Sequence, residues 1–117
     1  MQLTCFAGWP AVVLGRDSAR VSIAVLTRAQ QEIEAADRWW SENRENRDAV
    51  LEQFQRFCDL VESFPEIGTL VASSRVSARR LLLPDIEYHV YYRLRPRARR
   101  IEVLSFWYAG RGTHPRV

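Results

Sequence analysis

The sequence predicts an α+β domain, β-α-α-β-β-β in order, with a helical hairpin packed on one face of a small, mostly antiparallel sheet. Three observations predict it. Two successive segments carry apolar residues at helical spacing, on either side of a short polar break. A β-branched run precedes them. Three strand-like runs follow, separated by tight reversals that make them a meander.

The first element is Val21–Leu26 (VSIAVL), apolar on both faces and therefore a buried strand. Thr27 follows as an N-cap, with Gln30 completing a capping box. Ala29, Ile33, Ala36 and Trp40 recur at steps of 4, 3 and 4 and define a helix over about 28–44. Trp39 is adjacent to Trp40, so one of the two leaves the stripe and meets the sheet margin or a partner. The polar run 41–46 (SENREN) ends this helix, and Asn46 is placed to cap the next. Val50, Phe54, Phe57 and Val61 repeat the same spacing over 47–63. Cys58 lies in that stripe and reads as a buried thiol, with nothing nearby arranged to activate it.

Pro65 and Gly68 break the helical pattern, and residues 64–77 read as a loop anchored by Ile67, Leu70 and Val71. Residues 78–83 (ARRLLL) form the next strand, and Pro84-Asp85 turns it. In residues 87–94 (EYHVYYRL), Tyr88, Val90, Tyr92 and Leu94 share one face. Glu87, His89, Tyr91 and Arg93 share the other, which the helices leave uncovered. Four arginines crowd the turn 95–100 (RPRARR). Residues 101–108 (IEVLSFWY) are apolar on both faces and belong in the sheet interior, beside the first strand.

The chain's 117 residues make one domain over 21–117. Residues 1–20 read as an extension, or as a start codon set too early, because Gly8, Pro10 and Gly15 interrupt their short apolar patch. They lack the basic n-region of a signal peptide. No apolar run is long enough to cross a membrane as a helix. Two cysteines cannot build a disulfide framework, and with two histidines they show no metal-ligand spacing. Phosphate-loop and dinucleotide fingerprints are absent, so no cofactor is expected.

Charge is unevenly distributed. Residues 21–74 carry five arginines against ten acids, and residues 75–117 carry ten arginines against three acids. All seventeen basic residues are arginine, the fork-shaped cation suited to phosphate and carboxylate. The basic half suits a polyanion or an acidic protein segment. It is poor in carboxylates, which argues against paired-carboxylate hydrolysis and against two-metal nuclease chemistry.

A phosphodiester would therefore have to be cut without metal. His89 is the one group of the meander that titrates near neutrality, and Tyr91 and Arg111 complete a candidate catalytic set. Candidate partner or nucleic-acid contacts are Arg79, Arg80, Arg93, Arg95, Arg97, Arg99, Arg100, Trp107 and Tyr108. The same Arg/Tyr sheet also fits a small RNA-binding module without catalysis.

The order and spacing of several segments resemble the RelE/ParE superfamily of bacterial type II toxins, over about residues 22–115. They are the strand and Ala-rich helix VLTRAQQEIEAADRWW, the second helix ENRDAVLEQFQRF, Pro65-x-x-Gly68, the strand Arg79–Leu83, YHVYYRL, and Trp107, Arg111 and Pro115 near the end. The resemblance implies a curved sheet and a small antitoxin whose acidic and apolar segment wraps the toxin. RelE-like relatives cut mRNA on the ribosome with basic residues and a tyrosine. ParE-like relatives poison DNA gyrase. Here Tyr88-His89 stands where RelE-like chains carry Tyr-Arg, no tyrosine follows Arg111, and there is no lysine. The chain therefore looks closer to the ParE-like branch, with ribosome-dependent mRNA cleavage as the alternative. Either reading implies a cytoplasmic protein without a membrane partner.

Overall fold

A computed structural model describes residues 22–117; the extension assigned to residues 1–20 lies outside the described residues. The architecture is α+β, with two helices and an open five-stranded mixed sheet. The elements are β1 (Ser22–Val25), α1 (Thr27–Asn43), α2 (Ala49–Ser63), β2 (Thr69–Leu70), β3 (Arg79–Leu83), β4 (Tyr88–Arg95) and β5 (Arg100–Tyr108). The sheet order is β1-β5-β4-β3-β2. β1 runs parallel to β5, and every other pairing is antiparallel.

β5 sits between β1 and β4, as its two apolar faces require. The helices pack on one face of the sheet. Ile33, Val50, Phe54, Phe57 and Val61 meet Ile23, Val90, Tyr92, Ile101, Val103 and Phe106 there. Phe54 stacks on Phe57 at 5.5 Å, and its edge meets Phe106 at 6.2 Å. Phe57 meets Tyr92 edge-on at 5.4 Å. These geometries add to simple area burial.

Val103 and Phe106 both enter this core, although a spacing of three would send them to opposite faces of a regular strand. A β-bulge resolves the conflict. Tyr91 pairs with Ser105 but Tyr92 pairs with Val103, so Leu104 is left without a partner. The extra residue shifts the alternation by one and returns Phe106 to the helix face.

Both expected caps differ from the structure. Leu26, not Thr27, is the N-cap of α1, and no side chain caps it. The Leu26 N–H still pairs with the Val103 carbonyl, so the strand runs directly into the helix and Thr27 falls inside the first turn. Gln30 donates to Glu34 instead of reaching back. Asn46 accepts from the Asp48 N–H and donates to Glu52, which organises the turn, while Asp48 occupies the cap position of α2.

The expected loop over 64–77 contains β2, which pairs with β3 through Thr69–Arg80 and Leu70–Arg79. Of its expected anchors, Ile67 and Leu70 are 44% and 57% exposed, while Val71 is half-buried and its N–H bonds the Ala78 carbonyl. Tyr92 holds its start. The Tyr92 hydroxyl accepts from the Gly68 N–H at 2.9 Å and donates to the Pro65 carbonyl at 2.9 Å. Arg79 donates to the carbonyls of Glu66 and Gly68 at 3.0 and 2.8 Å. Gly68 is required by this close approach. A Cβ there would lie 2.8 Å from the Tyr92 hydroxyl and 2.9 Å from its ring.

Tyr92 cannot yield, because its ring is fully buried against Phe57. Gly68→Ala is expected to cost about 1–3 kcal/mol. Tyr92→Phe, which leaves the Gly68 N–H and Pro65 carbonyl without their partner, is expected to cost about 1–3 kcal/mol. Urea denaturation of both variants checks this; unchanged midpoints would remove Tyr92 as the anchor of residues 65–68.

Candidate functional site

The arginine-rich turn is built around one buried acid. Glu102 is 6% exposed and receives Arg93 Nε at 2.7 Å and Arg100 Nη2 at 2.7 Å, with Arg95 at 3.6 Å. β-Register makes this possible, because Arg93 lies opposite Glu102 and Arg95 opposite Arg100. Burial pushes the Glu102 carboxyl up, but the Arg93 hydrogen bond and the charges of Arg93, Arg100 and Arg95 outweigh it, and the net shift is downward. Pro96–Ala98 form a 3₁₀ turn, and Arg99 closes it at φ 49°. The Arg99 carbonyl accepts the Ser22 N–H, so the turn also ties down β1.

Several arginines expected as partner contacts also make contacts within the protein. Arg93, Arg95 and Arg100 surround Glu102, and Arg79 holds residues 66–68 and pairs with Glu66 at 3.8 Å. Arg97 is exposed at the tip. The end of the hairpin remains basic all the same, since residues 93–100 carry five arginines around one glutamate. Glu102 was missed because a lone acid in an apolar strand shows no motif. The available signal was its position opposite arginines across a hairpin.

The three candidate catalytic residues are brought to one region but not to one accessible site. His89 is half-buried on the face away from the helices, opposite Trp107 on β5 and Leu82 on β3. Tyr91 lies beside it, ring centres 6.2 Å apart, but is only 1% exposed. The C-terminal segment lies against this face. Trp107 Nε1 donates to the Thr113 carbonyl, Arg28 to the Arg116 carbonyl, and the Arg75 N–H to the Val117 carbonyl. Pro115 is buried, and His114 is near enough to act electrostatically on His89. Tyr91, expected in the catalytic set, therefore offers no ring surface or hydroxyl to an incoming substrate. Arg111 lies flat on the Trp107 ring, 3.9 Å from its centroid, with Arg28 at 6.0 Å.

Burial lowers the His89 pKa, and Arg80 and His114 lower it further. A neutral imidazole is competent as a base, but Tyr91, the candidate acid beside it, is buried away from a substrate.

A second region lies at the far end of β4 and β5. A cleft of about 600 Å³ opens between α1 and the strand ends. Trp39, Trp40, Tyr88, Phe106 and Tyr108 supply its rings. Tyr88 stacks on Phe106 at 4.7 Å and tilts against Tyr108 at 5.5 Å. Arg44 sits over both Trp39 and Trp40, at 5.1 and 5.5 Å. Tyr108 thus lines the cleft and Trp107 does not, while Arg111, stacked over Trp107, also reaches the cleft's lining. The Trp-Trp-x-x-x-Arg spacing was the available sequence signal for the cleft's helical wall.

No protein-family model matches the chain, and neither a curated protein nor a solved structure does.

Glu102→Gln is expected to destabilise the fold by about 2–3 kcal/mol, less than a fully buried pair because its arginines are partly exposed. Because the folded-state pKa of Glu102 is depressed, its contribution is present above the ordinary carboxylate range and fades as pH falls through the folded value. The acid limb of a thermal-melt profile should flatten in the variant. His89 acts with a distinct window. Its folded pKa is below the ordinary imidazole value, so the unfolded chain binds the proton first and stability declines as pH falls from about 6.5. His89→Gln should remove that decline, and an unaltered pH profile would show that His89 titrates normally.

Proposed function

We propose that the protein is the toxin component of a type II toxin–antitoxin system. In this reading it is a ParE-like growth inhibitor directed at DNA gyrase and neutralised by a small antitoxin. The sequence resemblance to the RelE/ParE superfamily supports the class, and the strand, helical hairpin and meander are compatible with it. One observation carries the choice of branch: Tyr91 is sealed beside His89, so the candidate acid and base do not face a substrate together. A surface that binds without cutting fits a gyrase-directed inhibitor better than a nuclease.

The basic hairpin suits the antitoxin. Glu102 holds Arg93, Arg95 and Arg100 in a fixed arrangement, and Arg97 and Arg99 extend from the same turn. A preorganised cationic end costs little to order when an acidic segment docks. Among the described residues no helix is long and apolar enough to cross a membrane. The proposed site of action is the cytoplasm, where both gyrase and antitoxin reside.

RelE-like mRNA cleavage is the second reading, supported by the depressed pKa of His89. Added to purified gyrase, the protein is expected to reduce supercoiling, and a cell-free translation extract should be unaffected. Unaltered supercoiling at saturating protein, together with codon-dependent mRNA cleavage that His89→Ala abolishes, would replace the first reading with the second.

A further inference from the structure

We propose that the cleft between α1 and the ends of β4 and β5 binds a nucleotide whose base carries an exocyclic amino group. The base would lie against the ring faces and the phosphate would meet the edges of Arg44 and Arg111. The volume, about 600 Å³, is in the usual range for small-molecule sites. Its lining is the chemistry that holds a base: Trp39 is 46% exposed and Tyr108 42%, so both offer ring surface to the opening.

The arginines suit the other end of such a ligand. Arg44 and Arg111 both line the cleft, and each is stacked on an indole. Among the described residues, neither has a carboxylate partner. A stacked guanidinium keeps its N–H edge free for phosphate oxygens.

Two glutamates in the lining decide against an acidic peptide. Glu32 is spent on Ser105, the Phe106 N–H and Arg28. Glu87 is exposed, and its backbone is fixed by the Ala109 N–H bonded to its carbonyl. Its carboxylate is an acceptor for an amino group and would repel a second acid. A ligand with a planar body, an amino donor and an anionic group would find a partner for each in this lining: the rings, Glu87, and Arg44 and Arg111. Adenine, cytosine and guanine carry the donor; uracil does not. Phosphate is gripped here by side chains without a glycine loop, so the site differs from the standard nucleotide motifs that the sequence lacks. The inference is independent of the target assigned to the toxin.

The test uses the full chain and follows tryptophan fluorescence and calorimetry with AMP, adenosine, UMP and a short oligoadenylate. AMP should bind saturably and quench the fluorescence, with adenosine and UMP weaker by about tenfold or more. Trp39→Ala and Arg44→Gln should each weaken AMP by about tenfold, at positions exposed enough to leave the melting temperature near its original value. Glu87→Ala should narrow the gap between AMP and UMP. Equal affinity for AMP and oligoadenylate identifies a free nucleotide as ligand. Tighter binding of the oligonucleotide, lost in the same variants, identifies an exposed base of a single strand; both outcomes support the site. Failure of AMP and oligoadenylate to bind at millimolar concentration overturns the proposal. So does binding that Trp39→Ala and Arg44→Gln leave unchanged, or an acidic peptide that binds the cleft where AMP does not.

Discussion

The structure depends on satisfying the outer edge of β5. This nine-residue strand lies in the interior of the sheet, but β1 covers only four of its positions. The Leu26 N–H extends the pairing by one bond to Val103. Beyond that point a side chain takes over. Glu32 Oε1 accepts from the Phe106 N–H at 3.0 Å and from the Ser105 hydroxyl at 2.8 Å. A buried backbone donor without a partner would cost about 1–3 kcal/mol, so the edge has to be closed. Closing it with a residue of α1 fixes where that helix sits.

The rest of the helix face follows from this placement. With Glu32 held at the strand edge, Ile33 and Ala36 enter the core, and Trp39 and Trp40 reach the ends of β4 and β5. The bulge at Leu104 works in the same direction. By returning Phe106 to the helix face, it supplies the ring on which Tyr88 stacks. The cleft thus depends both on the helix placement set at the β1 edge and on the bulge in the β4–β5 pairing.

The opposite face shows how charge and burial divide the work. At one end of β5, Glu102 gathers three arginines and makes a basic hairpin rigid. At the other end, Trp107 is flanked by Arg28 and Arg111 and bonded to the Thr113 carbonyl of the final segment, and Tyr91 on the same face is buried. The face that a reading of alternation leaves open is in part covered by the chain's own end. The burial of Tyr91 is why a histidine and a tyrosine two residues apart do not amount to a catalytic pair.

The sequence carried the two helices, four of the five strands and the residues that face the helical side of the core. Local periodicity suffices for this: stripes at steps of 3 and 4 in the helices, and Tyr88, Val90, Tyr92 and Leu94 in β4, all reached the core or packed against it. The doubly apolar β5 also announced its interior position. Tertiary structure alone decided the caps, the two-residue β2, the bulge, the sealing of Tyr91 and the use made of each arginine. Thr27 has every local quality of a cap, yet β1–β5 pairing puts the helix start one residue earlier. Arg93 and Arg97 look alike in the sequence, but only Arg93 stands opposite Glu102. The reason is physical: periodicity records which side a residue faces, whereas pairing across strands and coverage by distant segments depend on groups dozens of residues away.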